Sequence, residues 1–234
     1  MPDMGSRTCE RCTIVEATFA SNLHHAHTRN RNELDASIRT HLEQPNRLYL
    51  ASFRDGSIKV GTSTSGRSVE RFLEQGAWRA RWVADTTDGY RVRELEDLVT
   101  EELGLVQAVT SRRKKAGLIT PRPDSQLDRT LDDLTDRVHA LLDLPGAPLA
   151  TQCNMPWTNP AIDSGAAEGA IAYPLDLKSG VHAFEIDDVV GKLAIASRPG
   201  GPDRFVIDLA PLFGIICETS AEPPAEIAIQ DSLF

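Results

Sequence analysis

Leu48-Tyr49-Leu50-Ala51-Ser52-Phe53 and Ile58-Lys59-Val60 are two short apolar runs held apart by Arg54-Asp55-Gly56-Ser57. Asp-Gly between strand-like runs is the strongest short-range signal for a hairpin, because both residues accept the backbone twist that joins two antiparallel strands. The stretch therefore predicts a tight β-hairpin closing at Gly61, and the rest of the chain is read around it.

A polar loop, residues 62–66, follows the hairpin. Residues 67–75 carry Val69, Phe72 and Leu73 at helical spacing and stop at Gly76. Residues 80–85 read as a third strand, and Thr86-Thr87-Asp88-Gly89 supplies turn formers. Residues 90–103 form a long helix ended by Gly104. The predicted order is β-β-α-β-α, within an α+β fold.

That order and its spacings resemble the GIY-YIG nuclease domain. Tyr49 matches the Tyr of that family's first strand, Lys59-Val60-Gly61 stands where Tyr-Ile-Gly would be, Arg71 matches its helical Arg, Gln75 falls at its His position, and Glu96 matches its metal-binding Glu. Lys59 and Gln75 depart from the nuclease pattern. A similarity over nearly the whole chain is carried by Leu48-Tyr49-Leu50-Ala51, Lys59-Val60-Gly61, Glu74-Gln75-Gly76-Ala77 and Glu94-Leu95-Glu96. These look like the signature of a bacterial family, domain of unknown function 2797, itself similar to GIY-YIG domains. Lys-Val-Gly and Gln-Gly-Ala are usual forms there.

By this resemblance, Tyr49 and Arg71 position and polarise a phosphodiester, and Glu96 holds one divalent cation, Mg or Mn. Lys59 would add a cation, but an ammonium is a poor base unless desolvation lowers its pKa. The resemblance implies a metal-dependent phosphodiester hydrolase. The other readings are an enzyme acting on a small phosphate-containing substrate and a non-catalytic nucleic-acid-binding module.

The helical wheel bears on Glu96 independently. Val92, Leu95, Val99 and Leu103 form one apolar stripe, and Glu96 lies on its edge, where a carboxylate needs a partner or a metal. Arg71 and Gln75 share a face of the preceding helix. An Arg71–Glu96 ion pair is the structural alternative to a shared active site.

At 234 residues with 41% hydrophobic content, the chain is long enough for one large domain or two small ones. We divide it into a Cys/His-containing region (1–46), the nuclease-like module (47–116), a helical connection (117–148) and a β-rich part (149–234). The absence of a long apolar run predicts no membrane partner, and the composition predicts a soluble cytoplasmic protein. Net charge is −9, which disfavours polyanions as partners. The charge is unevenly spread, however. Residues 47–116 hold 13 Arg and Lys against 10 Asp and Glu, while residues 117–234 hold 7 against 18.

Near the N-terminus, Cys9 and Cys12 form a Cys-x2-Cys pair, followed by His24-His25-Ala26-His27. Cys9, Cys12, His24 and His27 are candidate ligands of a structural zinc, against the alternative of histidines on a polar surface. Residues 32–42 predict an amphipathic helix packing beside the hairpin. The basic run Arg112-Arg113-Lys114-Lys115 reads as a solvated loop or helix end, with phosphate binding as its functional alternative. Residues 124–144 predict an amphipathic helix. Strands predicted at 171–175, 181–186, 192–197 and 205–209 form a small barrel or sandwich, and Cys153 and Cys217 read as buried thiols.

Overall fold

A computed structural model of the chain describes residues 11–12, 23–67, 69–224 and 226–227. The fold is α+β, built on two four-stranded sheets. In the first sheet the strand order is β2-β1-β3-β4, with β1 spanning Asn46–Ser52, β2 Ile58–Thr64, β3 Arg79–Thr86 and β4 Thr151–Thr158, all antiparallel. The hairpin forms as predicted. Phe53 N–H donates to Ser57 O at 2.9 Å, Asp55 Oδ1 accepts from Ser57 N–H at 3.0 Å, and Gly56 supplies φ +86°.

The helices include α1 (Ala36–Leu42), α2 (Glu70–Gln75), α3 (Gly89–Leu103), α4 (Ser111–Ile119), α5 (Asp124–Leu142) and α6 (Ala161–Ser164). Strand alternation sends Leu48, Leu50, Ile58 and Val60 to one face of the first sheet, where they meet Val92, Leu95 and Val99 of α3 and Leu131, Leu134 and Val138 of α5. Each such fully buried aliphatic side chain contributes about 1.5–3 kcal/mol. The opposite face carries Tyr49, Ala51, Phe53, Ala80 and Trp82 against Phe72 of α2. An Asp88 side chain that accepts from Arg91 N–H starts α3, and Gly104 at φ +66° ends it.

Several expectations are corrected. Residues 32–42 do not form one helix. A 3-10 turn at Arg31–Glu33 precedes Asp35, which caps α1 by accepting from Ser37 N–H, and α1 packs through Leu42 on Tyr90 at the start of α3. The basic run forms the N-terminal end of a helix, α4, in keeping with the helix-end reading. Strand β4 carries no alternating pattern and contains Pro156, which an edge strand tolerates, so only pairing with β3 makes it a strand. The first sheet thus takes its fourth strand from beyond residue 148.

The second sheet is neither a barrel nor a sandwich but an open sheet of order β5-β8-β7-β6, with β5 Ile171–Ala172, β6 Glu185–Val190, β7 Leu193–Ser197 and β8 Arg204–Asp208. β5 and β8 are parallel and the remaining pairs antiparallel. Asp187-Asp188, which lie between the predicted strands 181–186 and 192–197, continue β6 through a register shift, and the chain reverses at Gly191. Ile195 and Val206 pack on Leu118 of α4 and Leu127 of α5. Cys153 is half-buried, while Cys217 is exposed rather than buried. No helix among the described residues is long and apolar enough to cross a membrane.

Candidate active site

The β1–β2 register sets Tyr49 opposite Gly61 and Ala51 opposite Lys59, so Tyr49, Lys59 and Gly61 share the face covered by α2. Tyr49 is fully buried, edge-on to Phe72 (5.2 Å between centroids) and to Trp82 (5.6 Å). A Cβ on residue 61 would lie 2.5 Å from both Cζ and the hydroxyl oxygen of Tyr49, so only glycine leaves room for the ring. Among the described residues the hydroxyl has no partner at full hydrogen-bond geometry, although the Arg71 guanidinium stands near enough to bear on it. Burial raises the phenol pKa, the neighbouring Arg71 opposes that rise, and the charge of Glu96 adds to it.

Lys59 is 5% exposed, with Nζ 3.4 Å from Gln75 Oε1 and 5.7 Å from the Tyr49 ring centroid. Its pKa is pushed down to about 8, first by burial and next by Arg71, with Glu96 working the other way and Lys114 and Arg93 adding to the fall. Lys114, from α4, donates to the backbone oxygen of Gln75 at 2.7 Å, and its Nζ lies 4.8 Å from the Phe53 ring centroid. Burial lowers its pKa as well, followed by Lys192 and then Arg71.

Arg71 stands on α2, one third exposed, its Nη1 3.8 Å from Glu74 Oε2. Glu96 is 3% exposed and accepts from Arg93 Nη1 at 2.6 Å. The ion-pair partner of Glu96 is therefore Arg93, one helical turn away, and not Arg71. The charges of Arg71 and Glu96 both act on Tyr49 and on Lys59. Around this centre Lys59, Arg71, Arg93 and Lys114 outnumber the carboxylates of Glu96 and Glu74, and the surplus of positive charge suits an anion.

A divalent cation does not fit this donor set as it stands. Glu96 is one carboxylate already engaged by Arg93, its neighbours are cations, and no group of three or more His, Cys, Asp or Glu side chains among the described residues is placed to hold a metal. Of the zinc candidates, Cys9 lies outside the described residues. Cys12 is exposed, and His24 packs edge-on to His25 at 4.7 Å. His27 is drawn to α3, its Nε2 2.8 Å from Asp97 Oδ2.

Sequence reading missed Arg93, Gln75 as a bridge, and Lys192. Arg93 was legible in its spacing three residues before Glu96. Of the basic run, Lys114 alone joins the site, while Arg113 Nε binds Asp55 Oδ2 of the hairpin turn at 3.0 Å. Lys192 carries no local signal, because only the packing of the second sheet on α2 brings it near.

A cavity of about 570 Å³ beside Ile119 and Arg122, and one of about 430 Å³ beside His27 and Leu144, border neither Tyr49 nor Lys59. The family model described as a protein of unknown function (DUF2797) matches residues 5–180. No curated protein and no solved structure matches the chain.

Proposed function

We propose, for a chain that belongs to the DUF2797 family over residues 5–180, that the Tyr49–Lys59–Arg71 centre binds the phosphate of a phosphodiester and hydrolyses it. The observation that carries this reading is the fully buried Tyr49 hydroxyl, without a partner at full hydrogen-bond geometry among the described residues and approached by Arg71, set among cations that outnumber the carboxylates. A phosphodiester supplies what such a site lacks, a negative charge and acceptor oxygens. The GIY-YIG resemblance of the β-β-α-β-α segment points the same way.

In this reading Arg71 and the Arg93-held Glu96 set the field, with Arg71 donating to a non-bridging oxygen. Neutral Lys59, accessible because its pKa stands near 8, takes a proton as water attacks phosphorus. Tyr49, whose raised pKa keeps it protonated, donates to the oxygen that departs as the P–O bond breaks. The ammonium of Lys59 then returns a proton to Tyr49, leaving a phosphomonoester and an alcohol. No step uses a metal.

The test is hydrolysis of bis(p-nitrophenyl) phosphate and of short oligonucleotides, with chelator and with added Mg or Mn. Turnover that persists in chelator and disappears in Tyr49→Phe and Lys59→Met is expected. No turnover on any substrate, or full activity in both variants, overturns the reading. Turnover found only with added metal and lost in Glu96→Gln replaces Lys59 with a metal-bound water as the base.

A further inference from the structure

We propose that the substrate is a single-stranded nucleic acid, with Lys114 and Lys192 holding the phosphate next to the one bound at Lys59 and Arg71, and Phe213 stacking a neighbouring base. This rests on the phosphodiester reading above and extends it to a strand.

Gln75-Gly76, where α2 ends, is the point on which three lysines from three parts of the chain converge. Lys59 of β2 reaches the Gln75 side chain, and Lys114 of α4 reaches its backbone oxygen. The third arrives through a contact between two glycines. A Cβ on Gly191 would lie 2.9 Å from Gly76 Cα, so the β6–β7 turn rests directly on the end of α2 and brings Lys192, the next residue, near enough for its charge to act on Lys114. None of these three lysines has a carboxylate within ion-pair distance among the described residues. Cations gathered around one backbone turn repel one another, and an anion laid across them relieves that repulsion.

The lysines are graded in depth. Lys59 is at the floor, Lys114 is half-buried and Lys192 is exposed. A single phosphate drawn to the floor leaves the outer pair unanswered, whereas the next phosphate along a chain meets it. An independent feature stands at the rim. Phe213 is 54% exposed, and Lys192 Nζ lies 5.4 Å from its ring centroid. An exposed aromatic beside a phosphate-binding cation is the pairing by which proteins hold single strands, with bases stacked and backbone neutralised. A duplex keeps its bases stacked inside and its phosphates on a stiff rod, so it offers neither a base to Phe213 nor a phosphate to the recessed Lys59.

Binding of a single-stranded oligothymidylate of about eight residues, within the usual span of one such site, is compared with thymidylyl-thymidine, which has one phosphodiester, and with a duplex of the oligonucleotide's length. The wild-type chain should prefer the single strand to both. Lys192→Ala should weaken strand binding and flatten its dependence of log K on log salt by about 0.7. Phe213→Ala should weaken it by at least about fivefold with the salt slope kept. Both residues are exposed, so neither variant threatens the fold, and Lys178→Ala controls for loss of one exposed charge elsewhere.

If the dinucleotide binds but the strand binds no tighter, the inference falls and the phosphodiester reading stands. The inference falls in the same way if the duplex binds as well as the strand, if Lys178→Ala matches Lys192→Ala, or if neither variant changes strand binding. If neither ligand binds, both fall.

Discussion

The ring of Tyr49 lies across Gly61, its cross-strand partner, so closely that a Cβ at residue 61 would sit 2.5 Å from the hydroxyl oxygen. The glycine of Lys59-Val60-Gly61 is thus the floor on which the phenol rests. Gly61→Ala should displace the ring and destabilise the fold by about 1–3 kcal/mol, as overpacking of a buried site does. Urea denaturation measures that loss. Phosphodiester turnover in the folded fraction should fall to the level of Tyr49→Phe.

Glu96 and Arg93 make a second prediction. Glu96→Gln leaves the Arg93 guanidinium without its carboxylate beside a buried amide, but Arg93 keeps 24% of its side chain exposed. We expect a loss of about 1–2 kcal/mol, less than a fully buried pair would cost. A double-mutant cycle with Arg93→Met should show positive coupling. Independent, additive losses would mean that the 2.6 Å contact contributes nothing to stability.

Lys59 gives a stability test with a defined pH window. Its folded pKa of about 8 is below its ordinary 10.5, so between those values the unfolded chain binds more protons and stability rises with pH. The penalty of burying the charge is fully present below pH 8 and is relieved toward 10.5. Lys59→Met should therefore be more stable than the wild type at pH 7 by up to about 3 kcal/mol, a gap that narrows by pH 9.5. A gap that stays constant with pH would mean that Lys59 titrates at its ordinary value.

The same group predicts the pH–rate profile. If neutral Lys59 is the base, kcat/KM for a phosphodiester rises with pH and levels off above about 8. Binding of an inert phosphate analogue moves the opposite way, weakening as the ammonium is lost. Lys59→Arg, which stays charged, should bind the analogue and lack turnover at every pH.

Gly191 links the second sheet to the site. At φ +65°, with Gly76 Cα 2.9 Å from where its Cβ would be, Gly191→Ala combines backbone strain with a backbone collision. A loss of about 2–3 kcal/mol is expected. Differential hydrogen exchange should show it at the end of α2 and at Leu193–Ser197. Protection that falls only in β7 would separate the two sheets.

The amino-acid sequence by itself determined the hairpin, the β-β-α-β-α order and the position of Glu96 on the edge of its helix's apolar stripe. Each of these follows from interactions a few residues apart: Asp55-Gly56 at a reversal, apolar residues at periods of two and 3.6, and glycines after helices. Only the tertiary structure decided the rest. Strand β4 has no pattern of its own and exists because β3 offers it an edge, and β6 runs on past Asp187 because β7 pairs Ile195 with Asp188 beyond the shifted register. The turn that carries Lys192 reaches the end of α2 because two glycines distant in sequence leave no side chain between their backbones. The low pKa of Lys59 also belongs to the fold, because desolvation depends on what covers the ammonium and not on the residues beside it in the chain.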